Sequence, residues 1–242
     1  MCILIVQKYE KRKKTKQNQH KMNIKDNIDE IKKHLPADTR LVAVSKFHGV
    51  DEILEAYESG HKIFGESRVQ ELIEKQPTLP DDIEWHFVGR LQRNKVKFIV
   101  PFIDCIHSVD SKRLLYQIEK QAADVDRIIP CLLQIHIAKE DTKTGFTEEE
   151  CWNLLSKGKW REWSHIQLAG VMGMATYTDD EEVVRKEFVK LNAFFKKIKE
   201  HFFADSLHFK EISMGMSSDY KIATDEGSTL IRVGSKIFGD RE

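Results

Sequence analysis

No stretch of this 242-residue sequence approaches the ~20 consecutive apolar residues that a membrane-spanning helix requires. An excess of either charge is also missing. Lys+Arg and Asp+Glu each number 39, for a net charge of zero. That balance gives no reason to expect nucleic acid or an acidic membrane as the main partner, although a local basic patch stays open. Cysteine is scarce. Cys2, Cys105, Cys131 and Cys151 form no C-x-x-C pair and have no zinc-like spacing with histidine, so no metal site is read. They read as small buried hydrophobes in a reducing compartment. A secretory leader is absent too: the apolar residues Met1 to Val6 precede the basic stretch Lys8 to Lys21, the reverse of a signal peptide. A cytoplasmic protein is the expectation. The run Lys11-Arg-Lys-Lys-Thr-Lys reads as part of a solvated, disordered extension over 1–21 rather than a nucleic-acid tail. Met22 would then be the natural start. No Pro-, Gly- or Ser-rich linker interrupts the remainder, so 22–242 is expected to form one domain.

What is present is alternation. Ile24, Ile28, Ile31 and Leu35 have helical spacing, and Pro36 stops the helix. Leu41-Val-Ala-Val-Ser-Lys46 is short, apolar and rich in β-branched residues, as a buried parallel strand should be. Asp51 is positioned to cap the next helix and Gly60 to close it. Comparable units follow, with strands at 61–65, 84–88, 103–107, 128–137, 166–172, 208–212 and 229–233. Asp110 is the expected cap of the helix running to Ala123. The longest helix shows Val184, Phe188, Leu191, Phe195 and Ile198 on one face. About eight β/α units over roughly 200 residues match a single TIM-type (β/α)8 barrel better than an open doubly wound sheet.

In such a barrel, reactive groups belong at the C-terminal ends of the strands. Lys46 stands out there. The period of two puts Val42, Val44 and Lys46 on one face of the strand. A lysine so placed needs a partner or a lowered pKa, and a lysine with a lowered pKa attacks carbonyls to form a Schiff base. Taken alone, simple strand capping with the ammonium in water is the better reading. The turns after the last two strands shift the balance. Ser213-Met-Gly-Met-Ser-Ser218 runs into a helix, and Gly234-Ser235 follows one strand later. Small-residue turns at helix starts favour anions, and phosphate sites in these barrels commonly follow strands seven and eight. A Schiff-base lysine beside a phosphate cradle suggests pyridoxal 5′-phosphate (PLP). Arg232, inside the last strand, needs a buried partner. That partner is either a carboxylate, such as Glu211 or Asp225, or the pyridine nitrogen of PLP, which an always-charged arginine would keep unprotonated. His86 and His107, at strand ends, are weaker candidates for the pocket, as are Met172 and Met174.

These residues fall in ordered blocks: Ala43-Val-Ser-Lys46, Phe64-Gly-Glu66, Trp85-His-Phe-Val-Gly89, Leu91-Gln92 with Asn94-Lys95, Ile106-His-Ser108, Ser213-Met-Gly-Met-Ser217, and Ile231-Arg-Val-Gly234 with Ile237-Phe-Gly239. From about Met22 to Arg241 the sequence resembles the PLP homeostasis protein family (YggS/PROSC-type). The resemblance implies the fold of the alanine racemase N-terminal domain, that of the type III PLP proteins. It implies PLP held as a Schiff base on Lys46, Arg232 facing the pyridine nitrogen, and Ser213, Met214, Gly234 and Ser235 around the phosphate. It also implies a role in intracellular vitamin B6 homeostasis without established turnover, a monomer, and at most transient contact with PLP-dependent enzymes. Two positions depart from the family pattern: Ser67 stands where Asn is usual, and Arg90 where Pro is frequent.

A PLP-dependent amino-acid racemase is the alternative. Racemisation needs an acid/base group on each face of the cofactor, and Lys46 serves only one. In racemases sharing this barrel, the opposing tyrosine comes from an added domain that is not expected here. Tyr177, after the sixth strand, is the first candidate to replace it, although a surface loop is the better reading for that residue. The non-catalytic reading is preferred.

Overall fold

The structure is a computed structural model that describes residues 23–140 and 144–239. The expected disordered extension over 1–21, the proposed start at Met22, and Cys2 lie outside these residues. The described residues open with α1 (Ile24–Lys33), capped by the Asn23 side chain, which accepts from the Asp26 N–H. Seven strands then alternate with helices: β1 (Arg40–Val44), α2 (Val50–Glu58), β2 (Ile63–Glu66), α3 (Val69–Lys75), β3 (Glu84–Phe87), α4 (Val96–Ile99), β4 (Cys105–Val109), α5 (Lys112–Ala123), β5 (Ile129–Gln134), α6 (Glu148–Ser156), β6 (Ile166–Met172), α7 (Glu181–Phe202), β7 (Glu211–Ser213) and α8 (Tyr220–Asp225). An eighth strand, β8 (Leu230–Val233), and a short α9 (Ser235–Phe238) are the last elements among the described residues. The strands close into a parallel barrel in sequence order, with β8 pairing back onto β1 through Val42 and Arg232.

The alternation along each strand divides the core in two. Outward positions such as Leu41, Ala43, Phe64, Trp85, Phe87 and Ile106 join one large cluster beneath the helices. The α7 stripe of Val184, Phe188, Leu191, Phe195 and Ile198 is buried, as its spacing predicts. Each such side chain contributes about 1.5–3 kcal/mol. Inward positions form a much smaller cluster of Val42, Cys105, Leu132, Ala169, Met172 and Leu230. It is small because His86, His107, Gln134, Ser213 and Arg232 are also buried here. Barrel interiors are usually filled by branched apolar residues. The polar interior is therefore the first structural sign of where function lies.

Two caps differ from expectation. Gly49, not Asp51, caps α2, and the Glu52 carboxylate reaches back to the Gly49 N–H at 2.8 Å. Ser111, not Asp110, caps α5 by accepting from Leu114 N. In each case the chain enters the helix at a different residue, and the group then within reach of the exposed N–H closes it. The run ending in Lys46 also stops being regular strand at Val44. Cys105, Cys131 and Cys151 are free and buried. Burial pushes all three thiols up, Cys151 to about 12.

Candidate functional site

A cavity of about 740 Å³ opens at the C-terminal end of the barrel. That volume is in the usual range for small-molecule sites. Lys46, Arg232, Gly234 and Ser235 all line it, joined by Met216 and Ser217 from the loop after β7. Ser67 and Arg90, the two departures from the family pattern, stand at its wall, and so does Met174.

Lys46 is half-buried, two residues beyond β1. The Ser45 N–H donates to the Gly65 carbonyl at 3.0 Å, extending the strand ladder by one residue. Phe47 then adopts a φ of 68°, a left-handed conformation costly for a bulky side chain. Its N–H donates to Glu71 Oε2 at 2.9 Å, and the guanidinium of Arg68 lies 4.3 Å from its ring centroid. On the side away from the cavity, Lys75 Nζ donates to the Ser45 carbonyl and to Glu66 Oε1, while Ser45 Oγ donates to the same carboxylate oxygen. Lys46 thus projects from a backbone clamped on both flanks. Glu66 is fully buried, and its Oε2 has no hydrogen-bond partner. Burial pushes its carboxyl up, against the pull of the Lys75 ammonium.

Arg232 is 5% exposed. Its Nη1 donates to Ser213 Oγ at 2.5 Å and its Nη2 to the Gly173 carbonyl at 3.0 Å. Burial lowers its pKa to about 10, so it stays cationic at neutral pH. Neither carboxylate considered from sequence pairs with it. Glu211 binds Arg40 and Thr229, and Asp225 binds Arg185. Among the described residues, Arg232 has no carboxylate in ion-pair contact. Asp219, itself buried, acts on it only from beyond contact, and a buried cation without a contacting carboxylate at a cavity wall is costly unless a ligand supplies acceptor atoms.

The turn after β8 is tight. A Cβ on Gly234 would lie 3.0 Å from the Val44 carbonyl oxygen, and the Gly234 N–H donates to Ser217 Oγ at 3.3 Å. Gly215, at φ +92°, packs so closely that a Cβ would meet the Ala223 Cβ at 2.6 Å. The phosphate candidates are therefore distributed unequally. Gly234 and Ser235 face the cavity. The Met214 side chain lies in the outer core, and Ser213 Oγ points into the barrel between Arg232 and His107. From that loop, Met216 and Ser217 reach the cavity instead.

His86 and His107 do not line the cavity. They are buried beneath it, His86 Nδ1 lying 2.8 Å from His107 Nε2. With Cys105 they bring three possible ligand atoms within 4.8 Å of one another, a grouping absent from the sequence spacing. All four ring nitrogens are already hydrogen-bonded. Tyr177 is 91% exposed on a loop and stands at the cavity rim. The Lys75–Glu66 clamp was not anticipated. Its only sequence signal is a carboxylate inside the short Ile63–Glu66 strand.

The chain matches the family described as alanine racemase, N-terminal domain, over residues 20–242. It is 35% identical to the pyridoxal phosphate homeostasis protein of Aquifex aeolicus over 204 residues, covering 84% of this chain and 87% of that one. Among solved structures it is similar to PipY of Synechococcus elongatus with PLP bound, with a TM-score of 0.80 and 33% identity, covering 90% of this chain and all of that one. It also superimposes on an alanine racemase of Clostridium difficile with a TM-score of 0.74 at 15% identity, covering 57% of that chain, a likeness of fold alone.

Proposed function

The chain belongs to the pyridoxal phosphate homeostasis proteins, built on the alanine racemase N-terminal domain, and from that membership we propose that it binds PLP on Lys46 and serves in intracellular PLP homeostasis. The observation that carries the reading is the meeting of Lys46, Arg232 and the Gly234–Ser235 turn around one cavity. The donor set suits the group. It combines an amine, a buried guanidinium with no carboxylate in contact, and a glycine turn where a Cβ would press on the Val44 carbonyl.

When bound, PLP supplies an aldehyde that reacts with an amine and a ring that withdraws electrons. Lys46 provides the amine from a rigid strand end. Gly234 and Ser235, with Ser217 beside them, present small groups and N–H donors to a phosphate. Arg232, which remains cationic, would donate a hydrogen bond to the ring nitrogen and so keep it unprotonated. That would make the ring a weaker electron sink. Ser213 and Met214 then act from behind the wall, Ser213 by holding Arg232. The relatives are named as homeostasis proteins rather than enzymes, which supports a non-catalytic role.

No helix among the described residues is long and apolar enough to cross a membrane. We place the protein in the cytoplasm as a monomer, with 22–242 as its single domain and transient contacts to PLP-dependent enzymes. The test is to load the protein with PLP, reduce it with borohydride and map the adduct by mass spectrometry. Wild type should be yellow and carry the label on Lys46, and Lys46→Ala should carry none. Equal labelling of Lys46→Ala would refute the assignment. Solvent deuterium entering the α-position of an added amino acid would instead favour the racemase reading, with Tyr177 at the rim as the first residue to substitute.

A further inference from the structure

A chain of hydrogen bonds crosses the barrel beneath the cavity, from β3 to β8. Glu84 Oε1 lies 2.9 Å from His86 Nε2, and His86 Nδ1 lies 2.8 Å from His107 Nε2. His107 Nδ1 lies 2.9 Å from Ser213 Oγ, which accepts from Arg232 Nη1. Glu84 starts β3, at the end of the barrel opposite the cavity, and there it also pairs with the exposed Arg40. The three middle members are buried.

The chemistry of the donors sets one direction. A guanidinium only donates, so Ser213 Oγ must accept from it. Burial drives the His107 pKa far down, helped by nearby His86 and Arg232, so His107 carries one proton. If that proton sat on Nδ1, the Ser213 hydroxyl hydrogen would lose His107 as its acceptor inside the barrel. His86 would then have to donate from both nitrogens. With the proton on Nε2, every group is satisfied. Ser213 donates to His107 Nδ1, His107 Nε2–H donates to His86 Nδ1, and His86 Nε2–H donates to Glu84. The Glu84 carboxyl is held below its usual range, chiefly by that last bond, and remains an anion able to receive it. A cation at one end and an anion at the other polarise the links between them in the same sense.

We propose that Glu84 is a positioning residue for the cofactor pocket, acting through His86, His107 and Ser213 to hold the Arg232 guanidinium in one hydrogen-bonded orientation. The proposal rests on the reading of the cavity as a PLP site with Arg232 at the ring nitrogen. The Glu84 carboxylate is at the far end of the barrel and touches no ligand. Its effect would come from fixing which groups donate, and so leaving the remaining Arg232 N–H bonds directed at the cavity.

Histidine ¹⁵N NMR of the cofactor-free protein reads the relay directly. His107 should be the neutral Nε2–H tautomer, and an Nδ1–H tautomer at His107 overturns the proposal. Glu84→Gln keeps the reach of the side chain and removes its charge. Loaded with PLP, it should release the cofactor roughly threefold faster or more and show a shifted visible absorption band. Arg40→Gln removes the pairs that Arg40 makes with Glu84 and Glu211 but leaves every link of the relay in place, and should leave both readouts as in wild type. His86→Gln, which breaks the relay inside the barrel, should reproduce the Glu84→Gln spectrum if the latter variant folds poorly. A wild-type protein that binds PLP while both relay variants match it in spectrum and release overturns this proposal alone. A wild-type protein that takes up no PLP overturns the underlying reading and this proposal with it.

Discussion

Lys75 Nζ lies 2.7 Å from Glu66 Oε1 and 3.0 Å from the Ser45 carbonyl, so a buried ion pair grips the backbone from which Lys46 projects. The pair holds the backbone of Lys46 without lining the cavity. Its other anchor, Glu71, receives both Lys75 and the N–H of the left-handed Phe47.

Breaking that pair from one side should be costly. Lys75→Met leaves the fully buried Glu66 carboxylate without its counter-charge, a loss of about 3–5 kcal/mol. Urea denaturation of the cofactor-free protein measures it. The double variant Lys75→Met/Glu66→Gln should recover much of the loss, because no charge is then buried. Equal stability of Lys75→Met and wild type would show that the pair does not anchor the loop.

Gly234→Ala tests the closeness of the last turn. The new Cβ would sit 3.0 Å from the Val44 carbonyl oxygen, tight enough that one of the two must move by a few tenths of an ångström. The φ of −120° at this residue is open to alanine, so the fold should survive with a cost of about 1 kcal/mol. The displaced turn is the one assigned to phosphate. The PLP dissociation constant should therefore rise roughly threefold or more, by titration of the visible band. An unchanged constant would remove Gly234 from the site.

His61 gives the protein a predictable acid sensitivity. The ring is 3% exposed, with Nε2 at 2.9 Å from the Ile63 carbonyl, and burial lowers its pKa from 6.5 to about 4. The unfolded chain therefore binds a proton at a pH where the folded one does not. No penalty exists above about pH 6.5, and stability falls as pH drops from there toward 4. By pH 4 the loss from this residue is about 3 kcal/mol. His61→Phe keeps a ring against Phe64, which the imidazole meets edge-on at 5.4 Å. That variant should lose about 3 kcal/mol less than wild type between pH 7 and pH 4. Parallel pH–stability curves for the two proteins would contradict the assignment.

Much of the architecture was legible because it is local. Ile166–Met172 and the Glu181–Phe202 stripe match their apolar patterns closely, since a strand or helix buried on a known face repeats every two or 3.6 residues. Helix starts were less legible. Asp51 and Asp110 are good caps by type, yet Gly49 and Ser111 hold those positions, because the path of the preceding loop decides which residue meets the free N–H groups. At the site, the inward face of Lys46 and the special place of Arg232 followed from strand periodicity. Met214 did not follow it in the same way, since the chain leaves β7 at Ser213 and turns its side chain into the outer core.

The sequence by itself determined the eight-unit barrel and the family, and singled out Lys46 as the candidate lysine, for these depend on short-range periodicity and on ordered blocks along the chain. Only the tertiary structure decided who meets whom inside. His107 and Ser213 are 106 positions apart in sequence and in hydrogen-bond contact at 2.9 Å, and Glu84 connects to Arg232 through His86, His107 and Ser213 on three strands. Such meetings depend on the stagger with which the barrel closes, which no residue pattern within one strand records. Closure is what turned a lone buried arginine, open to several partners, into the end of a relay that begins at the opposite mouth of the barrel.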